Sequence, residues 1–374
     1  MHLVIGDLDG VGGYVVQALS GSGPVAALDA IPDAHPVSDA VGRAEVVYVC
    51  RSAWSPDRRL RFSRADPPLL SGVLATARAA GATRIVLLST AQVLGPEMPV
   101  RAPARRRFSE LSEAEPRHPY ERLRLWEESW LVRQAGPIEV VIVRSAQPLV
   151  VSDPVWGRMI AAVRERRPLR LPRRGRVARS FIAGSDLGRA LAAAGTRGDA
   201  GATHLVAGFD SSWAEVMAEV MTALEQPVPV RGETPFETRI RGFVAEIAAS
   251  RGGPAWPNPY VADLWACPHL YDDARSRWRL VWSPRHTSAA TAVRDALKGT
   301  PAGPVRQAPI LVPAAVEAAV DVLVGVASEG PIAAPEAPVK RAAPRRRPAG
   351  ARTAPKRTAR SGGRPGPRRG RSAG

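Results

Sequence analysis

The chain opens on an apolar strand that runs directly into a cluster of glycines. Residues 3–13 read LVIGDLDGVGG, and the glycines are Gly6, Gly10, Gly12 and Gly13. Glycine permits a sharp backbone bend and lets a ligand approach without a Cβ in the way. Residues 14–19 continue with a helical apolar pattern, so the N–H groups of a helix N-terminus would point into the turn. This junction predicts a binding site for a pyrophosphate.

A second short strand ends in an acidic residue at the distance expected for a dinucleotide site. Residues 24–28 read PVAAL and are followed by Asp29, about twenty residues beyond the glycines. An acid at this place can hydrogen-bond the ribose hydroxyls of NAD and repel the additional phosphate of NADP. Asp29 could instead be a turn residue before Ile31 and Pro32. The order of elements favours the cofactor interpretation, and NAD over NADP, because the turn offers Asp33 but no arginine.

Apolar runs and helical segments alternate over the first part of the chain. The runs are typical of buried parallel strands and lie at 45–50, 84–88, 138–143 and 204–207. Helices are predicted at 68–80, 120–134 and 185–194, and Ser185 or Asp186 can cap the last of them. This alternation predicts an α/β protein with a Rossmann-like, doubly wound parallel sheet.

The character of the sequence changes after Val150, where a basic segment precedes helical patterns rich in tryptophan. The 374 residues suffice for one large α/β domain or two smaller ones. We predict an NAD-binding domain at 1–210, with 151–180 contributing to a smaller C-terminal substrate lobe. That lobe is completed by 211–300. A linker that carries one helix is predicted at 301–339.

Most of the positive charge lies in the tail, residues 340–374. Of the formal net charge of +17, the thirteen Lys and Arg of the tail contribute +13, which leaves +4 for the rest. The tail has no acidic, aromatic or large aliphatic residue, so it cannot form a packed core, and we predict that it is disordered. Its charge suits non-specific contact with nucleic acid or another polyanion. Alternatives are an acidic protein, anionic lipid, or a solubilising role.

The remaining composition excludes several classes of protein. Cys50 and Cys267 cannot form a disulfide framework and neither lies in a CxxC pair, which favours the reducing cytoplasm. The most apolar stretch, 310–327, contains a proline and two acids, so we interpret it as a docking helix and expect no membrane span. No metal site is predicted, because partners at ligand spacing are lacking for His118 and His204.

Polar residues that can carry chemistry follow at a strand end and at a helix start. Ser89 and Thr90 end the predicted strand at 84–88, at the edge where ligands bind in open α/β sheets. Tyr120 and Arg124 lie four residues apart and therefore on one face of a helix. A nearby cation favours a deprotonated tyrosine, which could then act as an acid or base. The alternative is a surface Tyr–Arg pair.

The order of these motifs resembles the extended short-chain dehydrogenase/reductases, in particular the NAD-dependent epimerase/dehydratase family that acts on nucleotide sugars. The resemblance covers residues 1–298. STAQVLG at 89–95 is similar to the family's SS-x-x-VYG, and VRSAQ at 143–147 is similar to LRPxN. RSFIAGSD at 179–186 resembles RDFIHVDD, and YDDARSRWRLVWSP at 271–284 resembles the family's closing segment.

The resemblance implies roles for individual residues. Tyr120 corresponds to the acid/base, Thr90 with Ser89 beside it to the partner of the reacting hydroxyl, and Arg124 to a lysine that holds the nicotinamide ribose. Gln147 and Arg179 fall at substrate-binding positions, where an Asn contacts substrate and an Arg meets the nucleotide diphosphate. Arginine in place of that lysine keeps the charge, but its planar fork cannot reproduce the contacts of an ammonium group.

Two hypotheses follow for the function. The first is an NAD-dependent, epimerase/dehydratase-like oxidoreductase that acts on a nucleotide sugar or a similar hydroxyl or ketone substrate. The second is a catalytically silent NAD-binding sensor or scaffold that its basic tail tethers to nucleic acid or another polyanion. The oligomeric state stays open, with a homodimer as one alternative.

Overall fold

The computed structural model describes residues 1–29, 43–50, 67–95, 107–249, 256–299 and 306–307. They belong to one compact unit, Met1–Ile310, and the second unit, Leu311–Gly374, lies outside the described residues. The predicted linker helix, the predicted disordered tail and Asp33 also lie outside them.

Twelve strands and ten α-helices occur in the described residues. The strands are β1 (His2–Ile5), β2 (Val25–Leu28), β3 (Val46–Val49), β4 (Arg84–Thr90), β5 (Glu139–Ser145), β6 (Gln147–Leu149), β7 (Leu169–Pro172), β8 (Ala178–Ala183), β9 (Thr203–Val206), β10 (Phe209–Ser212), β11 (Val230–Glu233) and β12 (Arg306–Gln307). The helices are α1 (Val11–Leu19), α2 (Pro67–Ala79), α3 (Pro119–Gln134), α4 (Pro154–Arg164), α5 (Gly184–Arg197), α6 (Trp213–Ala223), α7 (Pro235–Ala249), α8 (Pro259–Ala266), α9 (Ala274–Leu280) and α10 (Ala289–Leu297).

Seven strands form one parallel sheet in the order β12-β2-β1-β3-β4-β5-β9. In its middle, Leu3 lies opposite Ala26 on one side and Val47 on the other. β4 and β5 pair up to Thr90 opposite Ser145. Since all seven strands run in the same direction, the carboxyl ends of β1, β4 and β5 meet at one edge. The predicted parallel sheet is confirmed.

Helices cover both faces of this sheet, because alternate residues of the strands face two apolar cores. Val4 packs in the core that contains Val15 of α1 and Leu191 of α5. Leu3 packs in the other core, which contains Leu131 of α3 and residues of α2. Strands buried on both faces read as continuous apolar runs, which explains why the sequence pattern was clear.

A smaller lobe contains a three-stranded sheet, β10-β8-β6, and a two-stranded pair, β11-β7. The lobe is built around an apolar core in which Trp156 and Trp213 are fully buried. The chain enters the lobe with β6, α4, β7 and β8, returns to the main sheet with β9, and enters the lobe again with β10. Residues on both sides of position 210 therefore build the lobe.

Helix α5 begins differently from expectation. Its N-cap is Ala183 and no side chain caps it, so the two predicted capping residues lie inside its first turn. Asp186 is fully buried and accepts the backbone N–H groups of Arg285 and His286 at 2.9 and 2.8 Å. The guanidinium of Arg189 donates to the same carboxylate at 2.7 Å. The aspartate thus ties α5 to the segment that follows α9, and it does not cap the start of its own helix.

The composition also gave expectations for the two cysteines and for membrane-spanning helices. Cys50 and Cys267 are buried free thiols. Among the residues that the structure describes, no helix combines the length and the apolar character that a membrane crossing requires.

Candidate functional site

A cleft of about 450 Å³ lies where the carboxyl edge of the main sheet faces the smaller lobe. The ends of β4 and β5, the start of α3, the segment that follows β6, and α8 contribute to its walls. Six of the residues singled out in the sequence line it, namely Asp29, Ser89, Thr90, Tyr120, Arg124 and Gln147. The fold therefore brings residues that are separated by up to 118 positions to one cleft.

Ser89 is held by a buried charged pair. Its hydroxyl donates to Glu128 Oε1 at 2.5 Å, and the same carboxylate accepts the guanidinium of Arg144 at 2.6 Å. Ser89, Glu128 and Arg144 all lie where α3 packs on β4 and β5. The Ser89 hydroxyl is thus oriented towards the helix, which leaves Thr90 as the better-placed hydroxyl of this strand end.

A hydrogen-bond network joins Thr90 to the opposite wall of the cleft. The hydroxyls of Thr90 and Tyr260 both donate to Gln92 Oε1, at 2.7 and 2.6 Å. The amide nitrogen of Gln92 lies 3.5 Å from Gln147 Oε1, and Gln147 is buried. Gln92 and Tyr260 line the cleft and were not singled out in the sequence. Gln92 lies inside the STAQVLG motif, whereas nothing local marks Tyr260.

Tyr120 lies in the first turn of α3, whose start is strongly fixed. Glu121 accepts the backbone N–H groups of Arg117 and His118 at 2.6 and 3.0 Å, and Pro119 occupies the first helical position. Tyr120 is 9% exposed, and its ring centroid lies 5.1 Å from that of Tyr260. Two tyrosines, one from each wall, therefore meet in the cleft.

Arg124 is buried one turn further along α3, and both of its terminal nitrogens are bonded inside the protein. One terminal nitrogen pairs with Glu127 and the other donates to the carbonyl of Leu88. Burial lowers the pKa of Arg124, but the electrostatic interactions with Glu127, Tyr120 and Glu128 raise it by more. The pKa of Arg124 is therefore raised overall. The guanidinium is therefore a permanent charge near Tyr120, and the Glu127 carboxylate offsets part of it.

The glycine turn is a tightly packed element. A Cβ on Gly12 would lie 2.2 Å from the carbonyl oxygen of Gly6, and a Cβ on Gly10 would lie 2.0 Å from Ser152 Oγ. Gly6 has a φ of +87°, a conformation that other residues rarely adopt. Gly13 is buried in the first turn of α1. None of these four glycines is among the described residues that line the cleft.

Carboxylates accept the N–H groups of this turn. Asp7 Oδ2 accepts the N–H of Val11 at 3.0 Å, and Asp29 Oδ1 accepts the N–H of Leu8 at 3.1 Å. The carbonyl of Asp7 accepts the N–H groups of Gly10 and Gly12, both at 2.9 Å. Burial raises the pKa of Asp7 to about 6. A carboxylate thus lies at the helix N-terminus where the sequence predicted a pyrophosphate.

The described lining of the cleft is acidic on this side. Asp7, Asp29 and Asp153 line it, and the one cationic side chain among the described lining residues is Arg124. Asp153 caps α4 by accepting the N–H groups of Val155 and Trp156 at 2.9 and 2.8 Å. Burial raises its pKa to about 6 as well.

Arg179, predicted to bind substrate, is not among the residues that line the cleft. Its side chain is 1% exposed, donates to the carbonyl of Leu264 at 2.7 Å, and lies 3.1 Å from His269 Nδ1. Its guanidinium also lies over the ring of Trp213, 5.3 Å from the centroid. Burial lowers the pKa of Arg179 to about 10. These contacts hold the smaller lobe together.

The described residues contain no group of three or more His, Cys, Asp or Glu side chains that could hold a metal ion. His118 pairs with Asp263 at 3.1 Å, and burial lowers the pKa of His204. His118 thus belongs to an ion pair with Asp263, and His204 is a buried residue of β9.

Solved structures with the same fold include nucleotide-sugar epimerases. A nucleoside-diphosphate-sugar epimerase from Pseudomonas aeruginosa is 16% identical, with 80% of this chain and 96% of that chain covered and a TM-score of 0.58. The UDP-glucuronic acid 4-epimerase from Bacillus cereus in complex with NAD is 15% identical, with 80% and 99% covered and a TM-score of 0.56. The UDP-glucose 4-epimerase from Thermotoga maritima with UDP-glucose gives the same identity, coverage and TM-score. No curated protein sequence matches the chain.

A part of the sequence is similar to a known protein family. Residues 27–208 match the profile of the NAD dependent epimerase/dehydratase family. This segment carries β3 to β9 and most of the cleft, so the similarity to that family extends over the main part of the candidate site. The matched segment begins after the glycine turn and therefore does not include Asp7.

Proposed function

We propose that the protein binds NAD in the cleft and oxidises and reduces a carbon that carries a hydroxyl or ketone group. The observation that carries this proposal is the convergence of Asp29, Thr90 and Tyr120 on one cleft at the carboxyl edge of the parallel sheet. Open α/β sheets bind ligands at that edge. The match of residues 27–208 to the family profile, and the NAD and nucleotide-sugar complexes of proteins with the same fold, support the proposal.

The residues present fit a dinucleotide at both ends of the cleft. Asp29 would hold the adenosine ribose through its carboxylate, one oxygen of which already accepts the N–H of Leu8. Tyr120 and Thr90 would face the nicotinamide end. When bound there, NAD would accept a hydride from the substrate carbon and return one. The diphosphate would fall beside the glycine turn, at the N–H of Val11 that Asp7 now occupies.

The protein's own groups account for the proton. Tyr120 takes the proton of the substrate hydroxyl during oxidation and returns it during reduction, and the permanent charge of Arg124 supports its deprotonated form. Thr90 orients the substrate oxygen, and its hydroxyl is itself placed by Gln92. Gln147 would contact the substrate through its amide. We propose a nucleotide sugar, or a similar hydroxyl or ketone compound, as the substrate.

The test combines NAD binding with a substrate panel. Binding of NAD is followed by calorimetry with the full-length protein, and turnover is followed as epimer formation or NADH release across a panel of nucleoside diphosphate sugars and simple secondary alcohols. We expect binding together with turnover of at least one member. Absence of binding from pH 5.5 to 7.5 at millimolar NAD would contradict the proposal.

A silent NAD-binding protein is the second candidate, and one observation favours it. Both terminal nitrogens of Arg124 are engaged, one by Glu127 and one by Leu88, whereas the family's lysine holds the ribose. For this candidate we expect NAD binding without turnover in the wild type and the appearance of turnover in Arg124→Lys. Its tethering through residues 340–374, and their contact with nucleic acid or another polyanion, remain predictions.

A further inference from the structure

The glycine turn differs from an open anion site in the way its N–H groups are used. Asp7 Oδ2 accepts the N–H of Val11, the first residue of α1, at 3.0 Å. The N–H of Leu8 is bonded to Asp29, and those of Gly10 and Gly12 to the carbonyl of Asp7. These four N–H groups at the start of α1 are thus bonded to the protein's own oxygens, two of which belong to the carboxyl groups of Asp7 and Asp29.

The backbone holds Asp7 in this position. Its φ of +52° lies in the left-handed region, and Ser152 Oγ lies 3.5 Å from Oδ2. Gly10 has no space for a side chain, because a Cβ there would lie 2.3 Å from Asp7 Oδ2. The carboxylate is therefore built into the turn, against Ser152 of the segment before α4.

Charge makes this arrangement unfavourable for a diphosphate. Asp7, Asp29 and Asp153 line the same side of the cleft, and the charge of Arg124 is paired with Glu127. A diphosphate beside ionised Asp7 would meet like charge at hydrogen-bond distance and would compete for the same N–H group. Neutral Asp7 removes the repulsion and frees the carboxyl group to donate a hydrogen bond to a phosphate oxygen.

We propose that Asp7 makes dinucleotide binding depend on pH, because NAD binds only when the Asp7 carboxyl group is protonated. This inference rests on the proposed function, since it assumes that NAD binds in this cleft. It assigns Asp7 a regulatory role. At pH values above the pKa of Asp7, the protein takes up one proton for each NAD that it binds.

The surroundings place this titration near neutrality. The pKa of Asp7 is raised to about 6, because burial and the nearby charges of Asp29 and Asp9 outweigh the hydrogen bonds from Val11 and Ser152, which lower it. Two other titratable groups of the cleft interact electrostatically with Asp7. They are the thiol of Cys50, whose pKa burial raises, and the carboxyl of Asp153, whose pKa burial raises to about 6. Asp153 is thus the competing source of any pH dependence.

Calorimetric titration of the full-length protein with NAD tests the proposal at pH 5.5 and 7.5, in buffers of different ionisation enthalpy. If one proton with a pKa near 6 controls binding, the Kd should be about 25-fold larger at pH 7.5 than at pH 5.5. The uptake should approach one proton per NAD at pH 7.5.

Asp7→Asn keeps the size of the side chain and one hydrogen-bond acceptor, and asparagine tolerates a positive φ. We expect this variant to lose the pH dependence and the proton uptake, and to bind NAD at least about tenfold tighter than the wild type at pH 7.5.

Asp153→Asn and Asp9→Asn are the matched controls, because each removes a nearby carboxylate charge and leaves Asp7 in place. Both should keep the pH dependence of the wild type. The proposal is overturned if the wild type binds NAD equally well at both pH values, if Asp7→Asn retains the pH dependence, or if Asp153→Asn alone abolishes it. NAD binding persists in each of these outcomes, so the proposed function stands. No binding by any variant contradicts both.

Discussion

Replacing Tyr120 by phenylalanine is expected to lower kcat by about 10²- to 10⁴-fold while leaving the Kd for NAD unchanged. The substitution removes the hydroxyl that is proposed to move the substrate proton, and general acid–base groups contribute effects of this size. The ring is retained, so its packing against Tyr260, at a centroid distance of 5.1 Å, should persist. Steady-state kinetics with the substrate found in the panel, and calorimetry with NAD, measure the two quantities separately.

Tyr260→Phe provides the comparison, because it removes the other tyrosine hydroxyl of the cleft. That hydroxyl donates to Gln92 Oε1 at 2.6 Å, so its loss should disturb the placement of Thr90 and lower kcat to a smaller extent. A larger loss in Tyr260→Phe than in Tyr120→Phe would assign the proton transfer to Tyr260. Equal activity of Tyr120→Phe and the wild type would exclude Tyr120 as the acid/base.

Replacing Asp186 by alanine is expected to lower the free energy of unfolding by about 3 kcal/mol. The carboxylate is fully buried and accepts two backbone N–H groups and a guanidinium, from Arg285, His286 and Arg189. Its removal leaves these donors without the charged acceptor and detaches the segment after α9 from α5. Urea denaturation followed by tryptophan fluorescence measures the change.

Asp199→Ala is the matched control for that variant. Asp199 also pairs with an arginine, Arg279, but the two side chains are 57% and 36% exposed. Exposed ion pairs contribute little, so this substitution should change the free energy of unfolding by less than about 1 kcal/mol. Equal effects of the two substitutions would show that the buried carboxylate of Asp186 does not tie the two segments together.

Features that depend on neighbouring residues could be predicted from the sequence. Apolar runs marked the parallel strands because both faces of the main sheet are buried. The carboxyl edge placed Ser89 and Thr90 at the cleft, because parallel strands end at the same edge. The spacing of Tyr120 and Arg124 placed both on one side of α3, and both line the cleft.

Features that depend on contacts between distant residues could not be predicted in this way. Tyr260 lies 140 positions beyond Tyr120 and reaches the cleft only because α8 packs there. Arg179 was assigned to substrate by its motif, but its guanidinium is buried among groups of the smaller lobe, including His269. A motif gives the position of a residue in the chain, whereas the packing of the lobe decides where its side chain points.

The turn at Asp7 lies between these two cases. The strand, the glycines and the helix were local and predictable, and all three are present. The Asp7 carboxylate beside them is local too, since it bonds to Val11 only four residues away. The glycines themselves are explained by the close packing of the turn against Ser152 and its own backbone. The glycine pattern alone therefore does not distinguish an open phosphate site from one that a carboxylate occupies.

The most direct test of the account is a crystal structure of the protein with NAD bound at pH 5.5. We predict the nicotinamide beside Tyr120 and Thr90, the adenosine ribose at Asp29, and the diphosphate at the N-terminus of α1, with a phosphate oxygen in place of Asp7 on the N–H of Val11. A dinucleotide bound outside this cleft, or one whose nicotinamide end lies away from Tyr120, would contradict the proposed site.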